Sequence, residues 1–189
     1  MTRYSAPPFV RKYLVIAAVA LPAILLAGCS GKHSNPEVQN DEGDGGKAPL
    51  VATLKMADPS AKAQLAKGFY QLEANAWRWT AGDFSVVLKT PPGAAQKGAT
   101  LTLTLSASDA VLKQVHSQTL TAAIGATTLK SEKYVDPGAH TFTADIPAAS
   151  LAGDTVTIDF SLDNSLPPGP ADRRELGVIV TAVGIETNE

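Results

Sequence analysis

From about Leu50 onward the chain alternates hydrophobic and polar positions in short runs. "ATLTLTLS" sets Leu101, Leu103 and Leu105 on one side and Thr100, Thr102 and Thr104 on the other. "DTVTIDFSLD" repeats the pattern, with Val156, Ile158, Phe160 and Leu162 opposed by Thr155, Thr157, Asp159 and Ser161. "DFSVVLK" contributes Phe84, Val86 and Leu88, and "AHTFTADI" contributes Phe142, Ala144 and Ile146. A period of two with β-branched residues on the polar side predicts half-buried antiparallel strands. "RELGVIVTAVGIE" departs from it: Val178 and Val180 share one face, Ile179 and Val183 the other, which predicts a central strand covered on both sides. Turn signals fall between the runs, "PPG" at 91–93, "DPG" at 136–138, "AGD" at 152–154 and "LPPGP" at 166–170. About eight short strands so spaced predict an all-β fold, a two-sheet antiparallel β-sandwich, jelly-roll-like and carbohydrate-binding-module-like. Only "SAKAQLAKG", 60–68, has a helical look, and "SASDAVLKQV" offers one further helical turn.

The stretch before this domain is different in kind. "MTRYSAPPFVRK" carries Arg3, Arg11 and Lys12 and no acid, and "YLVIAAVALPAILLAGC" is apolar throughout. A basic start followed by a short apolar run reads as a secretory signal, too short for a comfortable membrane span. Its end, "LAGC" at Leu26–Cys29, resembles the lipobox of bacterial lipoproteins. That resemblance implies cleavage before Cys29, a diacylglyceryl group on its thiol and acylation of its new amine. Two or more acyl chains anchor a protein stably where one does not. Ser30 rather than Asp follows the cysteine, which by the same resemblance implies transfer to the outer membrane. The expected organisation is a signal peptide over 1–28, a lipidated tether over 29–49 and a sandwich domain over 50–189. The tether, "GKHSNPEVQNDEGDGGKAP", has too few apolar groups to fold; as a random coil it spans roughly 25 Å.

Charge and composition then narrow the chemistry. The 16 basic residues less Arg3, Arg11 and Lys12 leave 13 against 18 acids, a processed chain near −5. Such a surface argues against nucleic acid as a partner. Cys29 is the single cysteine, so the domain is held by its core and not by a disulfide. His33, His116 and His140 are scattered and form no HExxH motif, so no metal site or cofactor is expected. Asp154, Asp159 and Asp163 match no defined calcium loop. There is no GxSxG elbow and no Gly-rich loop opening a helix. Glu73, Asp172 and Glu175 are the carboxylates to weigh as a glycosidase pair, but the arginines beside them would hold them ionised. The expectation is a protein without enzymatic activity.

Two segments carry candidate binding residues. In "EANAWRWTAGDF" Trp77 and Trp79 stand one residue apart, ~6.6 Å on a strand, with Arg78 facing the other way. Either both rings are buried and Arg78 lies outside with an acid, or both rings are exposed and suited to stacking on sugar C–H faces. Burial of such large rings is strongly favourable, so Trp79 is expected in the core. In "DRRELG" Arg173 and Arg174 point to opposite faces; one is solvated, and the other could hold Glu73 or Asp172 as a bidentate pair.

"GFYQLEANAWRWT", "SVVLKTPP" and "LPPGPADRRELGVIVTAVGIE" resemble, over residues 68–186, a β-sandwich domain of bacterial exported proteins that also occurs beside glycosyltransferase and polysaccharide-related modules. The shared features fall on Gly68, Phe69, Tyr70 and Glu73; on Arg78, Trp79 and Thr80; and on Asp172, Arg174, Leu176 and Gly177. Trp77 lies outside the shared pattern, which makes it the freer ring. The expectation is one network of Glu73, Arg78 and Arg174 with Trp79 beneath it, Tyr70 and Gly177 as structural residues, and Trp77, Glu73, Arg78, Asp172, Arg173 and Arg174 as candidate ligand contacts. The expected role is an envelope lipoprotein held to the bilayer through Cys29, with a binding or accessory module for glycans. The alternative is a structural or protein-interaction lipoprotein that meets an envelope protein instead.

Overall fold

The computed structural model describes residues 49–189; the signal segment, Cys29 and the tether up to residue 48 lie outside them. Nine strands follow in order: β1 (Thr53–Lys55), β2 (Leu65–Glu73), β3 (Trp77–Lys89), β4 (Ala99–Ala107), β5 (Gln118–Ile124), β6 (Thr127–Tyr134), β7 (Gly138–Ile146), β8 (Thr155–Leu162) and β9 (Ile179–Thr187). Every ladder is antiparallel. Hydrogen bonding runs along one path, β6-β5-β8-β3-β9-β4-β7, with β1 added to β9 and β2 to β3. β6 and β7 are consecutive in the chain yet form the two ends of that path. The sheet therefore doubles over, and the fold is an all-β antiparallel sandwich.

The long strand β3 joins the two layers. Its C-terminal half, Asp83–Lys89, pairs with β8, and Arg78 and Trp79 pair with β9. The inner faces of both layers meet in one core that includes Phe84, Leu88, Leu103, Phe142, Ile158 and Val183. Phe84 stacks on Phe160 with ring centroids 4.8 Å apart, and Phe69 meets Phe84 edge-on at 5.3 Å. The alternations in β3, β4, β7 and β8 put the apolar members inside, because successive side chains on a strand point to opposite faces.

Three expectations are corrected. The last strand is not covered on both sides. Its register against β4 shifts after Leu105↔Val180, so Thr104 meets Ala182, and this bulge reverses the parity: Val178 and Val180 point inward before it, Val183 and Ile185 after it. The expected helix over 60–68 is a short 3-10 helix, Pro59–Gln64, capped by Asp58, after which the chain enters β2. Tertiary bonds overrode helical propensity there. The buried Gln64 amide donates to the carbonyls of Val51 and Val87 and its oxygen accepts from the Val51 N–H. The second helical segment is a true helix, Asp109–Val115, supported by the Asp109–Lys113 pair at 2.7 Å. The strand number is nine, the addition being the three-residue β1.

Candidate functional site

The β2–β3 hairpin turns at Glu73–Ala76, where the Ala76 N–H donates to the Glu73 carbonyl at 3.0 Å. Ala74 and Asn75 have φ of 47° and 54°, the left-handed pair whose twist suits a tight hairpin. This brings Glu73 opposite Trp77. Along β3, Arg78, Thr80 and Gly82 are buried, while Trp77, Trp79 and Ala81 between them are half-buried. Neither tryptophan belongs to the buried core or to the half-buried residues packed against it. Trp79 is therefore not a core residue as expected. The two rings share an outward face, and Ile179 lies beside Trp79 on β9.

The reason is parity. Phe84, Val86 and Leu88 are buried at even positions of the same unbroken strand, so residues 77 and 79 must face out. Inward, Thr80 ties β3 to the chain entering β9: its N–H donates to Val178 and its hydroxyl accepts from the Val178 N–H, while its carbonyl accepts from Gly177. Gly177 is required here. A Cβ would stand 2.5 Å from the Ala81 carbonyl and 2.6 Å from the Thr80 hydroxyl. Gly68, at φ +72°, is likewise pressed against the Asp83 carbonyl.

Arg78 is corrected too. It lies inside, 7% exposed, and donates from Nη1 to the Tyr70 carbonyl at 3.0 Å; its Nε has no partner. It pairs with no acid among the described residues, so the expected network of Glu73, Arg78 and Arg174 lacks its middle member. Arg174 holds the site together instead. Its Nη1 donates to Glu73 Oε1 at 2.7 Å, and its Nε and Nη2 meet the two Asp172 oxygens at 3.1 and 2.8 Å. The guanidinium also lies 5.3 Å from the Tyr70 ring centroid. Hydrogen bonds from the Arg174 side chain and then its backbone N–H hold the Asp172 carboxyl down at about 2. The same carboxylates, Asp172 before Glu73, push the Arg174 pKa up. Arg173 is exposed.

The site is thus a pair of half-buried indoles on a tight hairpin, with a guanidinium–carboxylate fork at Glu73, opposite Trp77. Indole faces suit the C–H faces of sugars, and the fork's remaining lone pairs suit hydroxyls. Asp154, Asp159 and Asp163 do not converge: among the described residues no group of three or more His, Cys, Asp or Glu stands where it could hold a metal ion.

No protein-family model matches the chain, and no curated protein matches it. Solved structures similar to it include a family GH115 4-O-methyl-α-glucuronidase with specificity for decorated arabinogalactans, at 7% identity and a TM-score of 0.43 over 75% of this chain. The chain spans 18% of that enzyme's length. Another is a CBM4 structure, at 12% identity and a TM-score of 0.36, covering 72% of this chain and 85% of that one.

Proposed function

We propose that this protein is a lipid-anchored lipoprotein of the bacterial outer membrane whose sandwich domain is a non-catalytic glycan-binding module. The anchor half of the reading is supported by the basic start, the short apolar run and the "LAGC" ending at Cys29. The binding half is carried by one observation, Trp77 and Trp79 side by side on the outward face of β3 and outside the core. The part of each ring left accessible is apolar area that a sugar face would cover, a gain of ~25 cal/mol per Å².

The anchor is tested by intact mass of the membrane-extracted protein. Acylated chain beginning at Cys29 is expected, and a Cys29→Ser variant found unacylated with its signal still attached. A mature form beginning elsewhere sinks the anchor. Binding is tested on an array of bacterial and plant polysaccharides, with loss of signal expected in Trp77→Ala. One observation favours the second reading, a lipoprotein that docks on an envelope protein: Glu73, Asp172 and Arg174 already satisfy one another. Retention of an envelope protein from detergent extracts, with an empty array, decides for that reading.

A further inference from the structure

β3 changes partner part-way along its length. Arg78 and Trp79 pair with β9, and Asp83–Lys89 pair with β8. Between them Gly82 is met by Ser165 and Glu175, from the connection that leads from β8 to β9. A polar cleft of about 310 Å³ opens at this point, lined by Lys67, Ala81, Asp83, Leu162, Ser165 and Glu175. That is the lower end of the range for small-molecule sites, ~300–1,000 Å³, and suits a ligand of about one sugar ring. Ser165 and Glu175 stand across β3 from Trp77 and Trp79, because Gly82 is buried with Arg78 and Thr80 and its missing Cβ faces the two groups. A Cβ there would stand 2.6 Å from Glu175 Oε1 and 3.1 Å from Ser165 Oγ, so the glycine leaves the space in which they meet.

Charge decides what the cleft can hold. Lys67 and Asp83 stand 3.8 Å apart at exposed positions and cancel. Glu175 is half-buried and pairs with no cation among the described residues. The lining therefore has one negative charge in excess. The Ser165 hydroxyl donates to Glu175 Oε1 at 2.5 Å and orients the carboxylate; among the described residues no donor reaches its second oxygen. A partly desolvated carboxylate of this kind is best answered by a cation that also donates hydrogen bonds, a primary ammonium. A bare metal ion fits less well, since among the described residues no three His, Cys, Asp or Glu converge. Hydroxyls beside the ammonium suit the rest of the lining: Ser165 Oγ and the Asp83 carboxylate accept, and Lys67 donates. The Lys67–Asp83 pair is loose, and a ligand parts it at small cost.

We infer that this cleft binds a hydroxylated primary amine, an amino-sugar unit, with its ammonium on Glu175 and its hydroxyls among Ser165, Asp83 and Lys67. The site goes beyond the glycan-binding reading and does not rest on it: the amine binds here whether or not sugars stack on Trp77 and Trp79.

Titration calorimetry on the whole protein in detergent, at mildly acidic pH, tests it with glucosamine, glucose and N-acetylglucosamine. The three differ at one substituent, an ammonium, a hydroxyl and an acetamide. Glucosamine is expected to bind at least about tenfold more tightly than the other two, the contribution of one charge-assisted hydrogen bond. Ethanolamine and putrescine, an amine with one hydroxyl and a diamine with none, are expected to bind more weakly than glucosamine. Glu175→Gln is expected to erase the preference for glucosamine over glucose, with its melting temperature as the check on folding. Asp83→Asn, at an exposed position, removes the excess charge and leaves Lys67 unopposed, so it is expected to weaken glucosamine binding a few-fold. Trp77→Ala is expected to leave it unchanged. Equal affinity for glucosamine and glucose, ethanolamine or putrescine binding as tightly as glucosamine, or an amine preference untouched by Glu175→Gln and Asp83→Asn overturns the inference. A preference lost in Trp77→Ala places the amine at the rings and overturns it too.

Discussion

Arg174 Nη1 reaches Glu73 Oε1 at 2.7 Å across 101 residues of chain, and this bond fastens the loop before β9 to the β2–β3 hairpin. Both side chains remain about a third exposed, 32% and 37%, so the pair is worth less than a buried one. A double-mutant cycle of Glu73→Gln and Arg174→Gln, read by denaturant unfolding, is expected to give a coupling of about 0.5–1 kcal/mol. A coupling near zero would mean the pair is geometric ornament and the loop is held by Thr80 and Gly177 alone.

Asp172 makes stability depend on acid. Its carboxyl titrates in the folded protein at about 2, below the ordinary 3.8, so the unfolded chain takes up the proton first. The contribution is complete above 3.8 and is lost as pH falls from there through about 2. The melting-temperature difference between the wild type and Asp172→Asn is expected to be constant near neutral pH and to vanish across that window. High salt will shrink it, since the group is exposed to solvent.

Gly177 should tolerate no side chain. Its missing Cβ leaves room for the Ala81 carbonyl, the Thr80 hydroxyl and Leu162 Cδ1. Gly177→Ala forces β3 and the chain entering β9 apart, a loss of about 1–3 kcal/mol in unfolding free energy. The Trp77 and Trp79 emission spectrum should shift with it, because the rings ride on the displaced end of β3.

The outward position of the rings has an energetic signature. Phe84 is 1% exposed and lies between Phe69 and Phe160, so Phe84→Ala should cost about 3–5 kcal/mol. Trp79→Ala, although the larger truncation, should cost only about 1–2 kcal/mol, because the ring is half-buried and outside the core. Equal losses in the two variants would put Trp79 back inside.

Much of the site was legible once the strands were. Phe84, Val86 and Leu88 already fix the inward parity of β3, and counting back by twos places Arg78 inside and both tryptophans outside. The general preference for buried rings pointed the other way, and the parity of one continuous strand outweighed it. The polar cleft beside Glu175 had no comparable signal; the sequence offers Glu175 only as one carboxylate to weigh for a glycosidase pair. Lys67, Asp83, Ser165 and Glu175 come from three separate segments, and the glycine that admits them, Gly82, resembles any other small residue in a strand.

What the sequence by itself determined was local: where strands run and which of their residues face the core, because side chains alternate across a strand whatever it pairs with. Only the tertiary structure decided that β3 serves two layers, that a bulge after Val180 reverses β9, and that Arg174 of the two arginines finds Glu73 and Asp172. Those choices join residues distant along the chain. They follow from packing summed over the whole core, which no single stretch of residues contains.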